Sequence, residues 1–226
     1  MMIQIPGVLS REQVRQCRRA LEAADWTDGR ETAGHVAVHH KNNAQLALDH
    51  PLASQIGDLV LDALSRSPAF ISAVLPVRVL PPRFNRYEGG GDYGNHIDNA
   101  LLNVPGSGMR IRTDVSSTLF FSDPYEYDGG ELTVEDTYGE HTAKLPAGDL
   151  VLYPGTSLHR VTPVTRGTRY AAFFWTQSMV RQASRRALLY QLDQSIQALI
   201  ASSPEHPSVS RLTGIYHNLL REWVES

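Results

Sequence analysis

The chain reads as a mainly β protein with flanking α-helices. Two observations predict this. From about residue 70 to 178, short segments rich in Val, Ile, Leu, Phe, Tyr and Thr alternate with Gly, Pro, Asn and Asp clusters, as in an antiparallel sandwich or jelly roll. Before and after that stretch, apolar residues recur at helical spacing.

Taken in order, Ser10-Arg11-Glu12-Gln13 is a capping box, a Ser N-cap with Gln three residues on. Val14, Cys17 and Leu21 then mark one helical face to about Asp25. Residues 35–39 suggest a short strand, and 52–66 a second amphipathic helix through Leu52, Ile56, Leu59, Val60 and Leu64. Strands are predicted at 77–88, 115–122, 131–136, 141–145, 149–153 and 168–177. Breakers such as Gly89-Gly90-Gly91, Asp128-Gly129-Gly130 and Arg166-Gly167 separate them. Helices follow at 180–201 and 208–224, divided by Ser203-Pro204 and His206-Pro207. The expected division is 1–178 for the main domain and 179–226 for a two-helix appendage, too small to hold a core alone and docked on the sheet.

Composition limits the function. The 226 residues are 42% hydrophobic and 20% charged, with formal charge −3, so neither a nucleic-acid footprint nor a polybasic membrane patch is expected. The single cysteine, Cys17, rules out an intrachain disulfide and a Cys-based zinc site. No secretory signal and no bilayer-spanning apolar run is seen. The expectation is a cytoplasmic enzyme or binding protein.

His96 and Asp98 stand two apart at a strand end. In extended backbone, i and i+2 share a face, so the pair can bite one metal ion. Such pairs also occur as surface residues or as a hydrogen-bonded couple. His159, at the start of a later strand, is the natural third ligand. Two His and one carboxylate leave three positions open, the arrangement of non-haem Fe(II) oxygenases. Arg169 opens the apolar strand Tyr170-Ala171-Ala172-Phe173-Phe174. A cation there is costly unless it meets an anion, and a guanidinium grips a carboxylate with two parallel hydrogen bonds. A ligand that chelates at one end and carries a carboxylate at the other would suit both; 2-oxoglutarate is one. A surface Arg beside an internal acid is the plainer alternative.

Tyr87-Glu88-Gly89-Gly90-Gly91-Asp92-Tyr93-Gly94-Asn95-His96-Ile97-Asp98 resembles the corresponding region of prolyl-4-hydroxylase-like 2-oxoglutarate dioxygenases. Arg112-Thr113-Asp114-Val115-Ser116, Tyr127 to Leu132, Lys144 to Asp149, Ser157-Leu158-His159 and Pro163 to Arg169 narrow the likeness to the bacterial PKHD-type hydroxylases. Lys41-Asn42-Asn43-Ala44-Gln45 and the C-terminal helices also fit, so the resemblance covers nearly the whole chain. It implies a double-stranded β-helix, Fe(II) held by His96, Asp98 and His159, and Arg169 on the distal carboxylate of 2-oxoglutarate. It further implies that Tyr87 touches this cosubstrate, that ascorbate keeps the iron reduced, and that hydroxylation by O2 releases succinate and CO2. No acid–base side chain is required. The substrate, a small molecule or a peptidyl residue, is not named by the likeness, although some members are associated with iron acquisition.

Three rival readings stand beside it. They are a non-catalytic jelly-roll module binding sugar or metal, a zinc hydrolase, and a scaffold whose C-terminal helices bind a partner helix or a second copy in a homodimer. Residues 99–112 are expected to form a mobile lid in which Arg110 or Arg112 meets the substrate.

Overall fold

The computed structural model describes residues 1–32, 40–104 and 106–225; the strand expected at 35–39 lies outside them. Two antiparallel sheets face each other. The major sheet runs, edge to edge, Ile3–Ile5, Leu150–Pro154, Val115–Phe120, Thr168–Ser178, Arg83–Glu88, Ala44–Gln45 and Thr27–Asp28, with Pro76–Val79 also pairing Thr168–Ser178. The minor sheet runs Gly139–Ala143, Leu132–Asp136, His159–Val161, Asp92–His96 and Lys41–Asn42. A two-stranded antiparallel ladder pairs Asp128–Gly129 with Val164–Arg166, and a small hairpin joins Leu101–Asn103 to Arg110–Arg112.

The period-two alternation of the strands divides the core. Leu119, Leu150, Leu152, Tyr170, Ala172 and Phe174 point outward, into a cluster with three helices. These are α1 (Arg11–Glu22), α2 (Pro51–Ser65) and α3 (Pro68–Val74). Phe120, Val151, Tyr153 and Tyr87 point inward, against Leu132, Val134 and Val161 of the minor sheet. Val115–Phe120 is therefore buried along its whole length. The capping box forms as expected: the Ser10 hydroxyl accepts from the Gln13 amide, and the Gln13 side chain accepts from the Ser10 amide.

Several short strands were not expected, among them Ile3–Ile5, Lys41–Asn42 and Ala44–Gln45, and two further differences have a local cause. The strand expected over 77–88 is two strands, Pro76–Val79 and Arg83–Glu88, because Pro81-Pro82 lacks the donors a ladder needs. The seven-residue α3 is too short to show a helical period. Ser67 caps it through the Phe70 amide, and Pro68 occupies its first turn.

The C-terminal helices are α4 (Ala183–Ser202) and α5 (Pro207–Trp223). Leu189 of α4 is buried with Leu75 and Val180, against Tyr216, Leu219 and Trp223. Arg186 donates to the carbonyls of Val180, Arg181 and Asp114, and Ser72 of α3 donates to Asp193 at 2.6 Å. Among the described residues no helix is long and apolar enough to cross a membrane. Leu189→Ala should destabilise the protein by about 2–5 kcal/mol through the cavity it leaves. Urea unfolding checks this, and a loss well under about 1 kcal/mol would mean that the helices contribute little to the fold.

Candidate metal and cosubstrate site

The site lies between the sheets. His96 ends the strand Asp92–His96, His159 begins the strand His159–Val161, and the two are direct cross-strand partners. Their ring centroids are 4.1 Å apart. Asp98 follows two residues after His96, and its Oδ2 lies 3.9 Å from His159 Nε2. One donor atom from each residue falls within 4.8 Å of the others, so His96, Asp98 and His159 converge.

The backbone orients both rings in the same way. His96 Nδ1 lies 2.8 Å from the Gly94 carbonyl, and His159 Nδ1 lies 3.0 Å from the Ser157 carbonyl. A carbonyl can only accept, so each Nδ1 carries the proton and each Nε2 keeps its lone pair for a ligand. Ser116, from the major sheet, donates to Asp98 Oδ2 at 2.6 Å. Tyr93 stacks on His96 at 3.6 Å, and Tyr153 flanks His159. Burial, then the charge of His159, pushes the His96 imidazolium down to about 4, so at neutral pH its ring can ligate.

These residues open onto a cavity of about 400 Å³. Arg169, at the start of Thr168–Ser178, is 1% exposed and points into it. Its cross-strand partner is Tyr87. Its guanidinium carbon sits 5.3 Å from the Tyr87 ring and 5.1 Å from the Phe120 ring. Gly130 makes room for it: a Cβ there would stand 3.0 Å from Arg169 Cδ and 2.8 Å from Val164, and φ is +67°. Arg169 Nε and Nη1 are buried without a hydrogen-bond partner. Among the described residues no carboxylate lies within 4.0 Å of the guanidinium. A buried cation in this condition costs several kcal/mol unless an anion joins it, so the pocket end fits a carboxylate.

His40 also lines the cavity; His35 and His39 lie outside the described residues. The lid arginines are placed differently from expectation. Residues 101–112 carry the Leu101–Asn103/Arg110–Arg112 hairpin. Arg110 is exposed and donates to Asn103. Arg112 is held by Asp114, the Ser178 carbonyl and Glu225. Neither reaches the cavity, whereas Asn99 and Leu102 do. Three contributors went unrecognised in the sequence: Ser116, Lys41 and Arg83. The second and third line the cavity as cations. Burial, then Arg83, lowers Lys41 to about 8. The signal for Arg83 was its place two and four residues before Asn85 and Tyr87, on one strand face.

Comparison with known proteins agrees with this geometry. The 2OG-Fe(II) oxygenase superfamily matches residues 82–177, and the PKHD-type hydroxylase C-terminal domain matches residues 184–225. A PKHD-type hydroxylase from Parvibaculum lavamentivorans is 60% identical over 223 residues, covering 99% of each chain. The chain belongs to the PKHD-type hydroxylases, a family of 2OG-Fe(II) oxygenases. Its fold is that of solved oxygenases. A Pseudomonas putida prolyl-4-hydroxylase is 22% identical, with TM-score 0.51 over 78% of this chain and 92% of that one. HygX from Streptomyces hygroscopicus, solved with nickel and 2-oxoglutarate bound, is 18% identical, with TM-score 0.52 over 79% of this chain and 84% of that one. The family implies Fe(II) and 2-oxoglutarate, and the lone pairs of His96 and His159, the Asp98 carboxylate and the buried Arg169, with its Nε and Nη1 unpaired, suit both groups.

The depressed His96 value makes folding pH-dependent in metal-free protein. The unfolded ring protonates near 6.5, before the folded one. The unfolded chain therefore binds more protons in this window, and stability falls as pH drops from about 6.5 toward 4. In chelator, urea unfolding at pH 7.5 and pH 5 should show a larger loss for the native chain than for His96→Gln. Equal losses would contradict the buried, neutral ring.

Proposed function

We propose that the protein is an Fe(II)- and 2-oxoglutarate-dependent dioxygenase that hydroxylates a small-molecule or peptidyl substrate. The observation that carries this reading is the pairing of a two-His, one-Asp cluster with a buried guanidinium, two of whose nitrogens lack a hydrogen-bond partner, in one cavity. His96, Asp98 and His159 would hold the iron. Arg169 would take the distal carboxylate of 2-oxoglutarate, with Tyr87 against the cosubstrate. Bound there, iron, 2-oxoglutarate and O2 supply the oxidising power: 2-oxoglutarate becomes succinate and CO2, and one oxygen atom enters a substrate C–H bond. The chain's own contribution is placement. The Gly94 and Ser157 carbonyls fix the imidazole tautomers, Ser116 aims Asp98, and the Tyr153, Phe120 and Val161 walls keep water from the buried end.

A zinc hydrolase fits less well. It needs a general base beside the metal-bound water, and among the described residues lining the cavity Asp98 is the one carboxylate. A non-catalytic module leaves Arg169 without a task.

The same proposal extends to a cytoplasmic location and to ascorbate as an activator. Ferrous iron persists where reductants are plentiful, and Cys17 is a buried free thiol. The proposed division is 1–178 for the oxygenase domain and 179–226 for the appendage. Exposed Leu188, Ile200 and Ile215 on α4 and α5 would suit a homodimer. The acidic balance of the chain argues against nucleic acid.

Anaerobic Fe(II) with 2-oxoglutarate should give the weak visible charge-transfer band of the chelate, and His96→Ala should abolish it. Arg169→Ala should keep metal binding but weaken 2-oxoglutarate by at least about 30-fold, since a buried charge pair is worth roughly 2–5 kcal/mol when broken. A native chain that forms no band would overturn the assignment. Ser116→Ala should lower metal affinity by about 10–100-fold through a loosened Asp98, as read by calorimetry with Co(II).

A further inference from the structure

Two side-chain amides, Asn43 and Asn85, line the cavity beside Tyr87. Asn85 belongs to the strand Arg83–Glu88 and is 7% exposed. It stands two residues before Tyr87, so both side chains share one strand face. Its Nδ2 lies 3.5 Å from the Tyr87 hydroxyl oxygen, and its Oδ1 is buried without a partner. Asn43 stands between Lys41–Asn42 of the minor sheet and Ala44–Gln45 of the major one, where the chain crosses between the walls of the cavity. Gln45 pairs with Asn85 and Ala44 with Arg86, a register that brings Asn43 level with Tyr87.

Gly29 sets the direction of the Asn43 amide. A Cβ on Gly29 would stand 1.8 Å from Asn43 Oδ1, so the carbonyl end packs against that glycine and the amino end is left for the Tyr87 side. The ionisation of Tyr87 agrees. Burial pushes its hydroxyl up, while the Arg169 charge and then the Asn43 amide act against the rise, as a cation and a hydrogen-bond donor do. Neither amide contact is tight: 3.5 Å is the outer limit of a hydrogen bond, and the Asn43 amide atoms have no hydrogen-bond partner. Contacts of this kind close up when a ligand is in place.

A phenol oxygen has two lone pairs and one proton. With an amide N–H facing that oxygen from each of two strands, the proton is left to point away from both. Burial keeps the hydroxyl protonated, so the proton is there to be given. Arg169 is the cross-strand partner of Tyr87. An anion held by Arg169 that draws the Tyr87 proton polarises the O–H bond, and the oxygen then accepts more strongly from both amides.

We infer that Asn43 and Asn85 are positioning residues, whose amides hold the Tyr87 oxygen so that its proton goes to the distal carboxylate of 2-oxoglutarate beside Arg169. The inference rests on the oxygenase reading, with Tyr87 against the cosubstrate, and deepens it by two residues. It also gives Asn43, within the run Lys41-Asn42-Asn43-Ala44-Gln45, a task of its own.

The test is 2-oxoglutarate binding to full-length protein loaded with Co(II), read by calorimetry. The variants are Tyr87→Phe, Asn85→Leu, Asn43→Ala, and each amide change combined with Tyr87→Phe. Tyr87→Phe should weaken 2-oxoglutarate by about ten-fold or more, the loss of a hydrogen bond to a charged group. Asn85→Leu and Asn43→Ala should each weaken it by about three-fold or more. In the Tyr87→Phe background the same two changes should cost less than about two-fold, because an amide that acts through the hydroxyl then has nothing to hold. Asn85→Ala, which adds no bulk, should match Asn85→Leu, and Asn85→Gln should recover part of the loss. Co(II) affinity without 2-oxoglutarate should stay native in every variant. Losses that add in the double variants would make the amides merely structural and overturn the inference. Unchanged or tighter binding in any of the three single variants would do the same; for Asn85→Leu it is the result expected if the hydroxyl gave its proton to Asn85. Loss of Co(II) binding in all the amide variants would also count against it. A native chain that binds Co(II) but not 2-oxoglutarate is a separate result, and it would remove the oxygenase reading together with the role of the amides.

Discussion

The antiparallel pairing of His159–Val161 with Asp92–His96 is the constraint on which the site depends. Side chains alternate faces along a strand, so a slip of one residue would turn His159 to the opposite side of the minor sheet. The true register sets His159 directly opposite His96, and the ladder shifts between His159 and Val161, where Val161 meets Tyr93. Each imidazole is then pinned by a carbonyl two residues back on its own chain. Local backbone therefore supplies the ring orientation, and sheet pairing supplies the distance between rings. Asp98 sits past the end of the strand and cannot be aimed by the ladder. Ser116, from the facing sheet, does that instead, so the triad requires both sheets to be in place.

The opposite end of the cavity is held by a cost rather than by a bond. Arg169 is buried between two aromatic rings with two nitrogens unpaired. Folding tolerates this because the surrounding strands are buried on both faces and rigid: helices cover the outer face of Thr168–Ser178, and the minor sheet covers the inner one. Gly130 gives up a side chain so that the guanidinium stem can pass. The strain is local and the support is global, the pattern expected where a site is kept ready for a ligand.

Much of this was legible in the residues. The capping box, the strand-and-breaker rhythm and the two terminal helices each follow from local chemistry, and the period-two rule placed His96 and Asp98 together. What escaped were features made by long-range pairing. Ser116 reads as an ordinary polar residue of a buried strand until the facing sheet brings Asp98 to it. Arg112 reads as a substrate contact because it lies near the ligands in sequence. In three dimensions Asp114, the Ser178 carbonyl and Glu225 claim it. The double proline at 81–82 was visible, yet its consequence, two strands where one was expected, depended on which amides the neighbouring strand required. Arg83 follows directly after that break; the period-two rule sets it on the face of Asn85 and Tyr87, and its pairing with Phe173 brings that face to the cavity.

Asp114 joins these parts. Its side chain accepts from Arg112 and from the Ser178 amide, and its carbonyl accepts from Arg186 of α4. Arg112 in turn belongs to the hairpin whose Leu102 packs beside Trp175 and Phe173. The C-terminal helices thus hold the base of the hairpin that walls the cavity mouth. Buried charged hydrogen bonds of this kind are costly to break singly, which ties the position of Leu102 to the docking of α4. The two C-terminal helices are thus linked, through Asp114, Arg112 and Glu225, to the hairpin that carries Leu102.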